Sequence, residues 1–238
     1  MNPTALDNLQ NNAISRDEPF NFHCLQCGRC CKNREDILLN PYDLYRISKE
    51  LNRQPREIIK QYCEVYIGET SRFPCVLLKQ KGKEKVCPFL KKTRCIVHKN
   101  KPTVCALFPL GKGVSYSSSG EDEDSDIPEG EIIYFLQDVA CGKRDEQHTI
   151  SEWLEAFNLQ ESEEWFLEWS KQLNTMSFHL QKIEKYAPEK VMQLLYNKVF
   201  ADIYLGYSGS EDFMIQFRKK AEHTLEALST IAAKADKI

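Results

Sequence analysis

The strongest constraint on this chain is a run of four cysteines near its N-terminus, Cys24-Leu-Gln-Cys27-Gly-Arg-Cys30-Cys31. Two cysteines separated by two residues can bind one metal ion at metal–sulfur distances of about 2.3 Å, while the amides between them hydrogen-bond the thiolates. In a helical turn the four sulfurs would lie within about 120° of one face. Adjacent Cys30 and Cys31 could serve two different ions or two corners of one cluster, and the spacing leaves both alternatives open.

The cellular compartment decides how the ten cysteines of this 238-residue chain are interpreted. The first twenty residues lack the basic and apolar regions of a signal peptide, and no later stretch approaches the roughly 20 apolar residues that span a bilayer. We therefore expect a cytoplasmic protein. Thiols stay reduced in the cytoplasm, so clustered cysteines there indicate metal binding more often than disulfides.

Charge and composition limit the partners of the chain. Lysine and arginine total 32 against 35 acidic residues, and the net charge of -3 gives no broad attraction for nucleic acid or for an anionic membrane. An apolar fraction of 42% is sufficient for a buried core. We therefore expect a metal ion as partner, no nucleic acid and no membrane, and the sequence does not indicate a protein partner.

Further cysteines extend the candidate site well beyond the first run. Cys87 opens the sequence Cys-Pro-Phe-Leu, and Cys95 is followed after two residues by His98, which could supply a nitrogen ligand but fits a packed or surface side chain better. Cys63 falls in a helical pattern and is predicted to be a core thiol, whereas Cys75 belongs to no spaced pair. Eight thiolates would suit two four-coordinate zinc ions, or one cluster with some of the thiolates not bound to it. The predicted metal ligands are Cys24, Cys27, Cys30, Cys31, Cys87, Cys95, Cys105 and Cys141.

Periodicity predicts an α-rich α+β fold with an irregular, cysteine-rich metal-binding domain, a small β-hairpin and a helical C-terminal region. Helical patterns begin at Pro41 and Pro55, and the run around Gly82 predicts the hairpin. Thr149 and Glu152 form a candidate capping box at the start of the helical region. A last helix is predicted over about residues 212–234.

Composition divides the chain into three predicted parts. Residues 1–20 are expected to be a flexible N-terminus, and residues 21–158 the cysteine-cluster metal-binding domain. Within that domain, the serine-rich and acidic stretch 115–131 is expected to be a mobile loop, because it has almost no large apolar side chains to bury. Residues 159–238 are expected to form helices that pack on the metal-binding domain.

These motifs together resemble the YkgJ-type cysteine-cluster family, a family of zinc- or iron-chelating domains that opens with C-x2-C-x2-C-C. The resemblance runs from about Phe22 to Leu154 and includes the opening run, the Cys-Pro-Phe-Leu motif, the stretch 95–109 and the later Cys141. In this chain His98 replaces the family's usual tyrosine, Lys101 an arginine before proline, and Ala106 an arginine after cysteine. Every matched cysteine is present, so the resemblance implies metal binding here.

The residues and the resemblance together predict a metal-binding protein that chelates zinc or iron through clustered thiolates, with an iron–sulfur cluster as a further option. The biological process is not indicated, and neither is an enzymatic reaction. One alternative is an iron–sulfur redox protein. Another is a protein lysine-N-methylase-like enzyme, because the family resembles the flagellin lysine-N-methylases. The sequence has no glycine-rich loop after a strand and no C-x3-C-x2-C motif to support a methylase.

Overall fold

The computed structural model describes residues 12–116, 130–159 and 162–235. The chain divides into two compact units that are discontinuous in sequence. Unit 1 comprises Met1–Cys30, Lys92–Arg94 and Thr103–Ser170, and unit 2 comprises Cys31–Lys91, Cys95–Pro102 and Lys171–Ile238. The linear division predicted at residue 158 remains a prediction. Of the predicted flexible N-terminus and acidic loop, residues 1–11 and 117–129 lie outside the described residues.

Seven α-helices, a short 3₁₀ turn at Arg29–Cys31 and ten short strands are present in the described residues, which is consistent with the predicted α+β fold class. The prolines predicted to open the first two helices occupy their first turns. The predicted capping box is also present, since the Thr149 hydroxyl accepts a hydrogen bond from the Glu152 amide and the Glu152 carboxylate accepts one from the Thr149 amide. The helices are α1 (Pro41–Leu51), α2 (Pro55–Tyr62), α3 (Thr103–Leu107), α4 (Ile150–Ala156), α5 (Ser162–Glu184), α6 (Glu189–Tyr204) and α7 (Phe213–Ala235).

The strands form four small sheets, all antiparallel where the register is described. The sheet orders are β1-β9-β8, β10-β2, β3-β5-β4 and β6-β7, with bounds β1 (Ala13–Ile14), β2 (Phe20–His23), β3 (Leu38–Leu39), β4 (Cys63–Ile67), β5 (Pro74–Leu78), β6 (Leu90–Lys91), β7 (Arg94–Cys95), β8 (Leu110–Tyr116), β9 (Gly130–Leu136) and β10 (Lys143–His148).

The core of unit 1 is aromatic and centres on Trp153 of α4. Its ring packs edge-on against Phe20 and Phe22 of β2, at centroid distances of 5.7 and 5.9 Å. The indole N–H donates hydrogen bonds to the carbonyl oxygens of Ala106 and Leu107, so a buried polar atom is satisfied. These contacts hold β2, and therefore the start of the cysteine run that follows it, against α3 and α4.

Unit 2 is built around the central strand β5, whose Val76 and Leu78 side chains are buried. Helix α6 packs against both α1 and β5. An ion pair between Arg72 and Glu184 links the loop before β5 to the end of α5.

In the described residues no helix is both long enough and apolar enough to cross a membrane.

Two local predictions for unit 2 need correction. The second helix ends at Tyr62, and Cys63 begins β4 because its strand pairs with β5 in the register Cys63↔Leu78. The predicted turn at Gly82 is present with a φ of +67°, but the second arm of the hairpin is only an isolated bridge. Val86 bridges both Lys81 and Lys32, so a remote segment takes part in the pairing that the sequence assigned to a local hairpin.

Candidate metal centre

The pairing of β2 with β10 brings Cys141 to the start of the cysteine run. His23 at the end of β2 pairs with Lys143, so the next residues outward are Cys24 on one strand and Gly142 on the other. Gly142 has a φ of +75°, and a Cβ there would lie 2.8 Å from the His23 carbonyl oxygen and 2.5 Å from the Phe22 ring. The two backbones can approach this closely only because position 142 has no side chain.

Two arginines hold in place the loop 137–142 between β9 and β10, which we call the Cys141 loop. The Arg29 guanidinium, within the cysteine run, donates a hydrogen bond to the Ala140 carbonyl oxygen at 3.1 Å. The Arg144 guanidinium donates to the carbonyl oxygens of Val139, at 3.1 Å, and of Cys141, at 3.4 Å. Both cations therefore lie beside thiols that must lose their protons before they can bind a metal.

Four thiols of unit 1 influence one another electrostatically. Burial is the first cause that raises the pKa of Cys141, and the thiolates of Cys30, Cys27 and Cys24 raise this pKa further, while Arg144 lowers it. Cys24 and Cys27 are exposed, whereas Cys30 and Cys141 are half-buried. We call Cys24, Cys27, Cys30 and Cys141 the unit 1 thiol group.

A second set of thiols lies in unit 2, where Cys31 and Cys87 face each other across an antiparallel bridge. The Cys87 amide donates a hydrogen bond to the Cys31 carbonyl oxygen at 2.8 Å, beside the bridged pair Lys32 and Val86. Opposing residues in this pattern have Cα atoms about 5.5 Å apart and side chains on the same face of the ladder. The two thiols are therefore neighbours although 56 positions separate them in sequence.

Cys95 joins this set through a tight turn. The Leu90 amide donates to the Cys87 carbonyl oxygen at 3.1 Å, and the Ile96 amide donates to the Phe89 carbonyl oxygen at 2.9 Å. Burial is the main cause that raises the pKa of Cys95, and the Cys87 thiolate raises it as well. We call Cys31, Cys87 and Cys95 the unit 2 thiol group.

The remaining cysteines have different surroundings. Cys105, the eighth predicted ligand, is half-buried on α3 in unit 1. Cys63 is only 6% exposed, and burial raises its pKa to about 12, which supports the prediction of a core thiol. Cys75 on β5 donates a hydrogen bond to the Phe73 carbonyl oxygen at 3.4 Å, and burial raises its pKa.

The donor chemistry fits a thiophilic metal, but the side chains do not form a finished coordination sphere. All ten cysteines lie in the described residues, and each is present as a thiol and not as half of a disulfide. Within residues 12–116, 130–159 and 162–235, no group of three or more histidine, cysteine, aspartate or glutamate side chains is arranged to hold a metal ion.

The roles of Gly142, Arg29 and Arg144 are not predicted by the cysteine spacing. The glycine directly after Cys141 was the available signal, because an isolated glycine at a strand end often marks a close backbone approach. Arg144 gave no such signal, since its role depends on the path of the loop that precedes it.

Comparison with known proteins indicates a chelating role for this part of the chain. No curated protein and no solved structure matches the chain. Residues 23–128 match a family model named CxxCxxCC and described as "Putative zinc- or iron-chelating domain". The matched stretch contains every predicted ligand except Cys141. Residues 23–128 are therefore similar to the CxxCxxCC family, which confirms the resemblance to the cysteine-cluster family.

Proposed function

We propose that this protein binds zinc or iron through the eight predicted cysteine thiolates, and that the unit 1 thiol group forms one four-coordinate centre. The observation that carries the proposal is the pairing of His23 with Lys143, which brings the residue after Cys141 opposite Cys24. The charges of Cys24, Cys27 and Cys30 also act on the Cys141 thiol. Four thiolates around one ion are a standard structural zinc site. Cys105, a fifth thiol of unit 1, remains available to the same centre or to a neighbouring one.

The backbone around the cysteine run supports a structural role for the metal. Between His23 and Leu38 the only regular structure in this fully described stretch is the 3₁₀ turn Arg29–Cys31. Such a segment has few backbone hydrogen bonds of its own to order it. A bound metal supplies a crosslink between the run and the Cys141 loop, and structural zinc sites contribute on the order of 10 kcal/mol.

The two arginines at the site suit an anionic centre. Four thiolates around a divalent ion leave a net charge of about -2, by the charges of the ligands alone. The guanidinium groups of Arg29 and Arg144 lie against the loop that carries Cys141 and partly offset this charge. Because arginine does not deprotonate in proteins, this support persists at every pH where the thiolates can form.

An iron–sulfur centre is the second candidate, because a donor set made only of sulfur suits such clusters as well as zinc. It would make the protein a redox protein, whereas a zinc centre would be structural. A reducing compartment keeps such thiols available for either metal, so we propose that the protein resides in the cytoplasm.

Elemental analysis of the full chain, purified without oxygen, tests the proposal and separates the two metals. We expect stoichiometric zinc in a colourless protein, or iron with acid-labile sulfide in a brown one. Cys27→Ser and Cys141→Ser should each lose metal, whereas Cys63→Ala should retain it because that thiol is buried in the core. Full metal retention in both serine variants, or a folded wild-type protein that takes up no metal, would refute the proposal.

A further inference from the structure

The net charge of the chain, -3, conceals a strong separation of charge along the sequence. Residues 79–101 contain eight lysines and one arginine but a single acidic residue, Glu84. Nine positive charges against one negative charge give this stretch a net charge of +8, which leaves -11 for the rest of the chain. The whole-chain charge, from which no nucleic-acid partner is expected, averages over this separation, whereas an anionic ligand responds to the local charge.

The structure places most of these lysines at the surface of unit 2. A tight turn around Gly82 is closed by two backbone hydrogen bonds between Lys81 and Val86, at 2.8 and 2.9 Å, and Lys83 lies at its tip. The exposed lysines of the stretch that belong to unit 2 are Lys79, Lys81, Lys83, Lys85, Lys91 and Lys99.

A tyrosine beside this turn gathers two of the cations. The Lys81 ammonium lies 5.8 Å from the centre of the Tyr62 ring, and the Arg53 guanidinium lies 5.9 Å from the same centre. The attraction of each cation to the ring offsets part of the repulsion between them. The Lys79 amide donates a hydrogen bond to the Tyr62 carbonyl oxygen at 2.7 Å, so Lys79 starts from the same place. We call Arg53, Lys79, Lys81 and Lys83 the basic patch.

Few carboxylates neutralise the basic patch. Among the residues that the structure describes, none lies within ion-pair distance of Lys79, Lys81 or Lys83. Arg53 has only Glu57, at 3.9 Å, and that carboxylate is exposed. Because exposed ion pairs contribute little, an anionic ligand can compete with this contact for Arg53.

The composition of the basic patch favours nucleic acid over a protein or a membrane as its partner. Lysine is depleted from protein–protein interfaces, whereas lysine and arginine contacts to phosphate supply most of non-specific nucleic-acid binding. A membrane-binding surface adds apolar side chains that insert among the lipids, and none of the exposed large apolar side chains in the described residues lies within 79–101. We propose that the basic patch binds the phosphate backbone of a nucleic acid. This inference goes beyond metal binding and does not depend on which metal the thiols hold.

Fluorescence anisotropy of the purified, metal-loaded full chain with labelled single-stranded RNA or duplex DNA tests the basic patch. We expect a Kd of about 1–100 μM that weakens as salt is added, and the two probes show which nucleic acid is preferred. The triple variant Lys79→Gln, Lys81→Gln, Lys83→Gln removes three phosphate contacts. Each contact contributes about 0.7 to the slope of log affinity against log salt for a single strand, so the slope should fall by about 2 and RNA binding at about 0.1 M salt should weaken about 100-fold.

The matched control is the triple variant Lys185→Gln, Lys190→Gln, Lys219→Gln, which makes the same change of charge at exposed positions of unit 2 outside residues 79–101. It should bind RNA like the wild-type protein, and both triple variants should keep the wild-type metal content because neither set contains a thiol. Absence of binding to RNA and DNA, or equal weakening by both triple variants, would overturn the proposal. Tighter binding to phosphatidylserine vesicles or to polyglutamate than to either nucleic acid would also overturn it, in favour of a membrane or an acidic protein.

Discussion

Replacing Gly142 with alanine should damage both the stability of unit 1 and its metal affinity. The residue has a φ of +75°, a conformation that costs an L-residue about 1–2 kcal/mol. In addition, the new Cβ would meet the His23 carbonyl oxygen at 2.8 Å and the Phe22 ring at 2.5 Å. Overpacking of this kind typically costs about 1–3 kcal/mol, so the total expected loss is about 2–5 kcal/mol.

Gly82→Ala provides a matched control for the backbone contribution. Gly82 has nearly the same conformation, with a φ of +67°, but a Cβ there would meet no atom within 4 Å. It should therefore lose only about 1–2 kcal/mol. The difference between the losses of unfolding free energy in the two variants gives the steric cost of separating the Cys141 loop from β2.

Urea unfolding of the metal-loaded proteins, followed by circular dichroism, measures the two losses, and competition with a zinc chelator measures the affinities. A shift of the Cys141 loop that costs about 1.4 kcal/mol corresponds to tenfold weaker binding, so we expect at least that loss for Gly142→Ala. Gly82→Ala should leave the affinity of the unit 1 centre unchanged. Equal destabilisation by both substitutions, or wild-type zinc affinity in Gly142→Ala, would refute this account of the loop.

Three further predictions concern stability and reactivity. Thr149→Ala removes half of the capping box of α4 and should cost about 1 kcal/mol in urea unfolding, whereas Thr149→Ser should cost less. The hydrogen bond from Arg72 lowers the pKa of Glu184, so this ion pair stabilises the fold above the ordinary glutamate pKa of about 4.3 and its contribution is lost as the pH falls through the lowered value. Glu184→Gln should accordingly flatten the acid side of a plot of melting temperature against pH, and an unchanged slope would contradict this. Cys63, with a pKa of about 12, should resist iodoacetamide at pH 8 in the native protein, and mass spectrometry showing alkylation as fast as at Cys24 would count against its burial.

The elements that sequence reasoning predicted well are those whose signals are local. The proline starts of α1 and α2, the capping box at Thr149 and the last helix all follow from residues within one or two turns of the chain. The errors occurred where pairing is long-range. Cys63 opens β4 although its surroundings have a helical pattern. In the run that predicts the hairpin, Val86 pairs with the distant Lys32 as well as with Lys81.

For the candidate site, too, the local features are predictable from the sequence and the long-range contacts are not. The cysteines and their C-x2-C spacings are visible in the sequence, because a metal ligand is recognised by its side-chain chemistry and local spacing. The grouping of those thiols is not visible. Cys141 reaches the first cysteines only through the register of β2 with β10, and Cys87 reaches Cys31 only through an isolated bridge.

The sequence by itself therefore determined which atoms can bind a metal and which metals they prefer, since thiolate chemistry does not depend on the fold. Only the tertiary structure decided that adjacent Cys30 and Cys31 belong to different units and have different neighbours. The physical reason is that strand pairing between remote segments depends on the packing of the whole unit, as with Trp153 against β2, and leaves no periodic signal near the cysteines.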